Sequence, residues 1–244
     1  MHGFAAWQAI AAYLYVLGLD DPAMAWEYLR RNADYRAAWR RRRGVPDDWG
    51  LTAWEDPRRD ARGADPLWRQ LDLPMRIVPA MPPAGPFGFW RLPGIKRILH
   101  DGARLRVTSW IAGTPRRFAI SPQLAEAAPH AYQLDAGFEA EPSRRAALAT
   151  IAALERPAPA RARAARRDAI VRMRILAALD GEDAGASHRE IGAALFGEAR
   201  VASRWSADGE LRAQVRYLLA RGHALVAGDY RALIAPPGGS GGAS

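Results

Sequence analysis

The chain has 244 residues, 49% of them hydrophobic, which is enough for two modest domains or one larger domain with appendages. It contains no cysteine, which excludes structural disulfides, thiolate catalysis and metal sites built on cysteine. The formal net charge is +9 and the pI is near 10.7. This basic balance favours an acidic partner, of which nucleic acid is the commonest.

The basic residues are almost all arginine. Lys96 is the only lysine among 35 basic residues, a bias that with the abundant alanine indicates a GC-rich bacterial genome. No apolar run reaches the roughly 18 residues that a membrane-spanning helix needs. The apolar N-terminal stretch lacks the charged start of a signal peptide. We therefore expect a cytoplasmic protein without a membrane partner.

The first region, residues 1–62, is predicted to be helical and is rich in tryptophan and arginine. Apolar residues recur at spacings of three and four between residues 7 and 17, which predicts a packed helix. Two shorter helices follow, the first capped by Asp21 and the second capped by Asn32 and ended by Gly44. Each shorter helix has an aromatic face, and we expect this region to carry association between copies of the chain.

The second region, residues 63–142, is dense in proline and holds short segments of strand length. Turns are predicted at Asp101–Gly102 and around Gly113. We expect a small antiparallel sheet made of four segments: "RIVPA" (76–80), "FGFWRL" (87–92), "RLRVTSWI" (104–111) and "RRFAIS" (116–121).

The third region, residues 143–235, is predicted to be helical, and residues 236–244 form a disordered tail. Ser143 caps an alanine-rich helix that leads into a Pro/Ala/Arg linker. The next helix runs from about Arg166 to Leu179 and is broken by the glycines that follow. Together the regions predict an α+β fold.

Ser187, His188 and Glu190 lie within four positions of one another, which poses a choice between catalysis and a helix start. Serine followed by glutamate three residues later is the pattern of a capping box. Adjacent helical side chains point about 100° apart, so Ser187 and His188 cannot form a catalytic dyad. We therefore predict a helix that begins at Ser187 and leaves His188 and Arg189 open to a DNA role.

The helix predicted over residues 208–221 is basic and amphipathic. Its apolar stripe would face the core and its polar side chains the major groove, where guanidinium matches guanine and glutamine matches adenine. Residues 223–234 read as two short strands, which would add a wing to a helix-turn-helix. The connection of about twelve residues before this helix is longer than the usual turn. The candidate DNA contacts are Arg189, Arg200, Arg204, Arg212, Gln214, Arg216 and Arg221.

The C-terminal sequence resembles the DNA-binding domain of the RovC-like transcription factors, a family named for an activator of type VI secretion genes. The segment "WEYLRRNADYRAAW" (26–39) is similar to the transcriptional-regulator-like domain found ahead of it, with Ala33 where proline usually follows the asparagine. The C-terminal motifs that carry the resemblance are Leu179–Gly181, Gly185–Ile191, Leu195–Gly197, Trp205, Leu211–Val215 and Gly228–Arg231.

The resemblance implies a sequence-specific transcriptional regulator that acts as a homo-oligomer on an inverted or repeated site in double-stranded DNA. An activator of secretion or mobile-element genes is the expected role, with RNA polymerase as a second candidate partner and no cofactor. A protein-binding adaptor or anti-activator built on the same domain is the alternative.

An enzyme is the remote alternative. The five histidines are scattered without the spacing of a helical metal site, and no nucleophile elbow or phosphate-binding glycine loop is present. A metal-dependent nuclease using His100 or Asp101 is the one version that we retain.

Overall fold

The computed structural model describes residues 6–69, 73, 75–82, 85–100, 104–134, 141–157, 167–206 and 209–234. The chain divides into two compact units, and the first one combines an N-terminal and a C-terminal stretch of the sequence. It contains residues up to Trp68 together with Arg163–Ile234, while Arg69–Ala162 belong to the second. The predicted Asp101–Gly102 turn, most of the linker and the tail lie outside the described residues.

The N-terminal part of the first unit begins with a 3-10 helix, Ile10–Gly18, and continues with helices α1 (Asp21–Leu29) and α2 (Ala33–Arg41). Asp20 caps α1, one residue earlier than predicted. The predicted cap of α2 is confirmed, because Asn32 accepts a hydrogen bond from the Tyr35 N–H, and Ala33 begins the helix without a proline.

Helix α2 ends before the glycine that was expected to stop it. Arg42 takes the left-handed conformation, with a φ of 50°, and its N–H bonds back to the last turn. The aromatic faces of the two helices are also used inside the unit: Trp26 and Tyr35 are fully buried and meet edge to face. Trp26 is therefore not available for contact between copies of the chain.

The C-terminal part of the first unit consists of helices α4 (Arg167–Asp183), α5 (His188–Phe196), α6 (Glu198–Arg204) and α7 (Glu210–Ala227), followed by a 3-10 helix, Asp229–Leu233. Helix α4 continues through Gly181, where a side chain would collide with Trp7 and Ile191, and Gly185 at a φ of 80° marks its end.

The predicted wing over residues 223–234 is wrong. Helix α7 continues to Ala227 because its buried stripe continues through Gly222 and Leu225, and the 3-10 helix follows directly. The four apolar residues 224–227, which were interpreted as a strand, belong to the last turn of α7. A helix-turn-helix with a β-wing is therefore not what these residues form.

The second unit is a five-stranded sheet with helix α3 (Glu141–Glu155). Its strands are β1 (Arg76–Pro79), β2 (Ile95–His100), β3 (Leu105–Ile111), β4 (Thr114–Ile120) and β5 (His130–Gln133). The spatial order is β2-β3-β4-β1-β5, and β1 runs parallel to β4, so the sheet is mixed rather than antiparallel. The α+β class is confirmed.

Alternating residues of β3 and β4 bury one face of this sheet, on which Val107, Phe118 and Ile120 form a core with Ala147 and Leu154 of α3. The segment 87–92, expected as a strand, instead contains a 3-10 helix, Phe89–Arg91, bounded by Gly88 and Pro93. The strands β2 and β5 were not predicted. The polar and charged residues of β2 obscure its alternation.

Candidate nucleic-acid interface

The capping box at the start of α5 is confirmed. The Ser187 N–H donates to the Glu190 carboxylate at 2.7 Å, and the Glu190 N–H donates to the Ser187 hydroxyl oxygen at 3.3 Å. The Ser187 hydroxyl also donates to the Glu190 carboxylate at 2.7 Å, and this bond, together with the one from the Ser187 N–H, lowers the pKa of Glu190 below its ordinary value. Both side chains are therefore used by the helix itself. In the part of the chain that the structure describes, no three His, Asp or Glu side chains cluster as a metal site would.

Helix α6 occupies the stretch that was expected as an irregular connection. Buried Val201 anchors it, and the exposed side chains of Arg200 and Arg204 lie one turn apart on one face. The half-buried Trp205 then packs on α5 at Gly192, where an added Cβ would lie 2.7 Å from the indole. Two of the predicted DNA contacts, Arg200 and Arg204, therefore lie on α6.

Helix α7 packs against α4 through the stripe predicted from the sequence. Leu211, Val215, Leu218 and Leu219 are buried. Gly222 allows the close approach, because a Cβ at this position would lie 2.9 Å from the Leu179 side chain. The outward face of α7 is thereby fixed.

That outward face has two edges, and the DNA contacts predicted on α7 are divided between them. Gln214 and Arg216 are two residues apart, which places them about 160° from each other around an α-helix. Arg212 therefore goes with Arg216 on one edge, and Arg221 goes with Gln214 on the other. The sequence pattern predicted that the polar side chains of this helix face the groove together, and for these four residues that prediction is wrong.

Their hydrogen-bond partners differ as well. The Gln214 amide donates to Glu210 at 2.9 Å, and Arg221 pairs with Asp229 at 3.2 Å. Arg212 is half-buried and makes further interactions. Arg216 and Arg189 are exposed and form no ion pair with any described residue.

Sequence reasoning missed the centre of the outward face. Tyr217 is 62% exposed there, between the exposed Ala213 and Ala220. These three residues follow one another at spacings of four and three, so they form a single stripe. The same spacing rule that found the buried stripe could have found this one.

The helices of this interface are held to the N-terminal region by a buried ion-pair network. Arg31 donates to both carboxylate oxygens of Asp180 at 2.7 and 2.8 Å and to Glu27 at 2.6 Å. Tyr13 donates to Asp180 at 2.8 Å, and the fully buried Glu27 accepts from the Ala61 N–H. Burial raises the pKa of Asp180, but the hydrogen bonds and charge of Arg31 outweigh it and hold that pKa below its ordinary value.

A second set of contacts docks the last turn of the described chain. The Tyr230 hydroxyl donates to the Trp49 carbonyl at 3.0 Å, and Arg231 donates to the Asp48 carbonyl at 2.8 Å. The Tyr230 ring also lies against Trp68, with 5.9 Å between ring centroids. The two sequence ends therefore share one core, and the position of α7 depends on the N-terminal region.

Comparison with known families gives three matches along the chain. Residues 6–68 match the proteobacterial transcriptional regulator-like domain, and residues 131–235 match the RovC family described as "T6SS, Transcription factor, DNA binding domain". The chain carries a RovC-type DNA-binding domain behind a transcriptional regulator-like domain. Residues 79–116 match a domain of unknown function, DUF7011, and a search of curated proteins finds no match.

These matches mark the chain as a transcriptional regulator with DNA as a partner. The RovC-type match begins in β5 and includes α3, so it extends beyond the four helices of the first unit. Among the described residues, no helix is long and apolar enough to cross a membrane.

Proposed function

We propose that the protein is a sequence-specific regulator that binds double-stranded DNA by placing α7 in the major groove. The observation that supports this most directly is the outward face of α7 within a RovC-type DNA-binding domain: exposed Ala213, Tyr217 and Ala220 along its centre and arginines at both edges. The two alanines let the helix approach base edges closely on either side of the tyrosine.

The edges and the centre of this face contact different parts of the DNA. Arg216 on one edge and Arg221 on the other reach outward to opposite sides of the groove, where they contact phosphates or guanine. Tyr217 lies between them and contacts bases or sugars. Arg200 and Arg204 on α6, and Arg189 on α5, add contacts to the backbone.

The same matches support a regulatory role. We propose activation of transcription as a homo-oligomer on a repeated or inverted site, with RNA polymerase as a second partner and no enzymatic activity. Because Trp26 is buried, the oligomer contact must use other surfaces than the aromatic face of α1.

Selection of bound duplexes from a random library by the full-length protein tests the proposal. We expect an enriched site and a steep loss of affinity with rising salt, because phosphate contacts release counterions. Arg216→Ala should weaken binding to that site by about 1–3 kcal/mol. Arg62→Ala removes the same charge from an exposed arginine that already pairs with Asp60, and should leave binding nearly unchanged.

A protein-binding adaptor is the second candidate, and the local charge balance favours it. Residues 167–234 contain ten arginines and nine carboxylates, a net charge of only +1. If the selection yields no enriched duplex while the protein is folded, the adaptor replaces the DNA reader as the better account.

A further inference from the structure

Four consecutive arginines, Arg40–Arg43, lie at the C-terminal end of α2 with their side chains exposed. The other end of α2 is fixed on the RovC-type helices. The Asn32 side chain donates to the carbonyl of Val226 in α7 at 2.9 Å while it caps its own helix. A helix rises 1.5 Å per residue, so the run lies about 13 Å from that anchor.

The run differs in its pairing from other arginines of the same region. Arg30, Arg31, Arg58 and Arg62 all form ion pairs with carboxylates. Within the described ranges, none of the four arginines in the run does so. Their side-chain interactions with described residues are the Arg40 Nε–H donating to the Arg36 carbonyl at 3.4 Å and the Arg42 guanidinium lying over the Trp39 ring at 5.3 Å.

This arrangement concentrates positive charge that no described carboxylate neutralises through an ion pair. The helix dipole favours cations in the last turn, which stabilises Arg40 and Arg41, but Arg42 and Arg43 lie beyond the helix. A guanidinium group matches the geometry of a phosphate and pairs with it through two hydrogen bonds. A row of such groups is suited to a polyanion with regularly repeated phosphates.

The run also lies near the basic edge of α7. Arg36 and Arg40 line a cleft of about 950 Å³ together with His223 of α7. His223 is seven and eleven residues beyond Arg216 and Arg212, spacings close to whole turns, so it shares their edge. The imidazole of His223 lies 2.7 Å from the Glu182 carboxylate, and Asp180 and Asp183 line the same cleft. Because these carboxylates would repel an anion inside the cleft, the exposed run is the better anion-binding element.

We propose that Arg40–Arg43 bind the sugar–phosphate backbone of duplex DNA outside the groove that α7 enters. The transcriptional regulator-like domain then supplies sequence-independent affinity, and α7 supplies the sequence reading. This inference rests on the proposed function, because it requires that the protein binds DNA.

The test uses the full-length double variant Arg41→Ala/Arg43→Ala, since these two side chains form no hydrogen bond, ion pair or ring contact with any described residue. The probes are the duplex enriched by selection and a random-sequence duplex of the same length. We expect about a tenfold loss of affinity for both duplexes at low salt. The slope of log affinity against log salt should become shallower by roughly 1 to 2, because about 0.9 is lost for each phosphate contact.

The matched control is Arg41→Lys/Arg43→Lys, which keeps the charge and should retain the wild-type slope. An unchanged slope in the alanine variant would overturn the proposal, as would an equal loss in the lysine variant. Failure of the wild type to bind either duplex would instead refute the proposed DNA binding. A variant that loses the selected site but keeps the random duplex would show that the run reads sequence, which also contradicts the proposal.

Discussion

Single residues of the family motifs serve mainly to join the two ends of the chain. The "WEYLRRN" segment supplies Arg31, which pairs with Asp180 of the Leu-Asp-Gly motif and with Glu27 of its own helix. It also supplies Asn32, which donates to the Val226 carbonyl of α7. The closing Gly-x-Tyr-Arg motif supplies Tyr230, which bonds to Trp49. From the sequence, the C-terminal motifs were interpreted as signs of a DNA-binding domain, and "WEYLRRN" as a sign of the regulator-like domain ahead of it. The structure shows them holding the DNA-binding domain to the N-terminal region.

We predict that Asp180→Asn lowers the free energy of unfolding by roughly 2 kcal/mol at pH 7, less than for a fully buried pair because the Asp180 side chain is 30% exposed. The folded-state pKa of Asp180 lies below its unfolded value, so the wild type loses this contribution as pH falls from about 5 through the folded pKa. The difference between wild type and variant should therefore shrink in acid, as measured by urea unfolding.

The matched control for this measurement is Asp183→Asn, one turn further along α4 and exposed without an ion pair to a described residue. It should change stability by less than about 0.5 kcal/mol at either pH. A difference between wild type and Asp180→Asn that stays constant from pH 7 to pH 3 would contradict the ion-pair assignment.

Local signals predicted the helix starts at Asn32 and Ser187, whereas contacts between residues far apart in the sequence could not be predicted. The cap of α5 is written within four residues, so Ser187 and Glu190 were identified correctly. The partner of Arg31 lies 149 residues away, and no periodicity in the sequence links the two. The wing prediction failed because the apolar residues near the end of α7 resemble a short strand when they are considered alone. They continue the buried stripe of the helix.

We predict that α7 depends on its close approach to α4 at Gly222. In Gly222→Ala the new Cβ meets the Leu179 and Ile175 side chains at 2.9 to 3.0 Å, which forces a shift of the packed helices. The expected loss is about 1–2 kcal/mol, since overpacking exceeds the gain in helix propensity. Gly18→Ala, whose Cβ meets nothing within 4 Å, is the control and should be nearly neutral by thermal unfolding. Equal stability of both variants would refute the packing argument.

At the scale of the whole molecule, the first unit is built from two stretches of sequence, and the residues of the sheet lie between them along the chain. The basic excess is located elsewhere: residues 69–166 contain fifteen basic and seven acidic residues, a net charge of +8 out of +9. The charge of the whole chain therefore did not identify α7, because residues 167–234 carry only +1 of it. What positions the interface is the shared core of the chain's two ends.

We predict that a fragment of residues 163–244 alone has no cooperative unfolding transition, because it lacks Arg31 and the aromatic residues that cover Asp180 and Tyr230. Adding a fragment of residues 1–68 should restore helicity and a sharp transition, measured by circular dichroism. A fragment 163–244 that melts cooperatively by itself would show that the N-terminal region is not part of this core.

The salt dependence of binding to a selected duplex tests the central claim most directly. We predict that the full-length protein enriches a defined site, loses affinity steeply as salt rises, and binds that site at least five-fold more weakly when Arg216 is changed to alanine, a factor that corresponds to about 1 kcal/mol. Binding by Arg216→Ala that equals the wild type at every salt concentration would contradict the assignment of α7 as the reading helix.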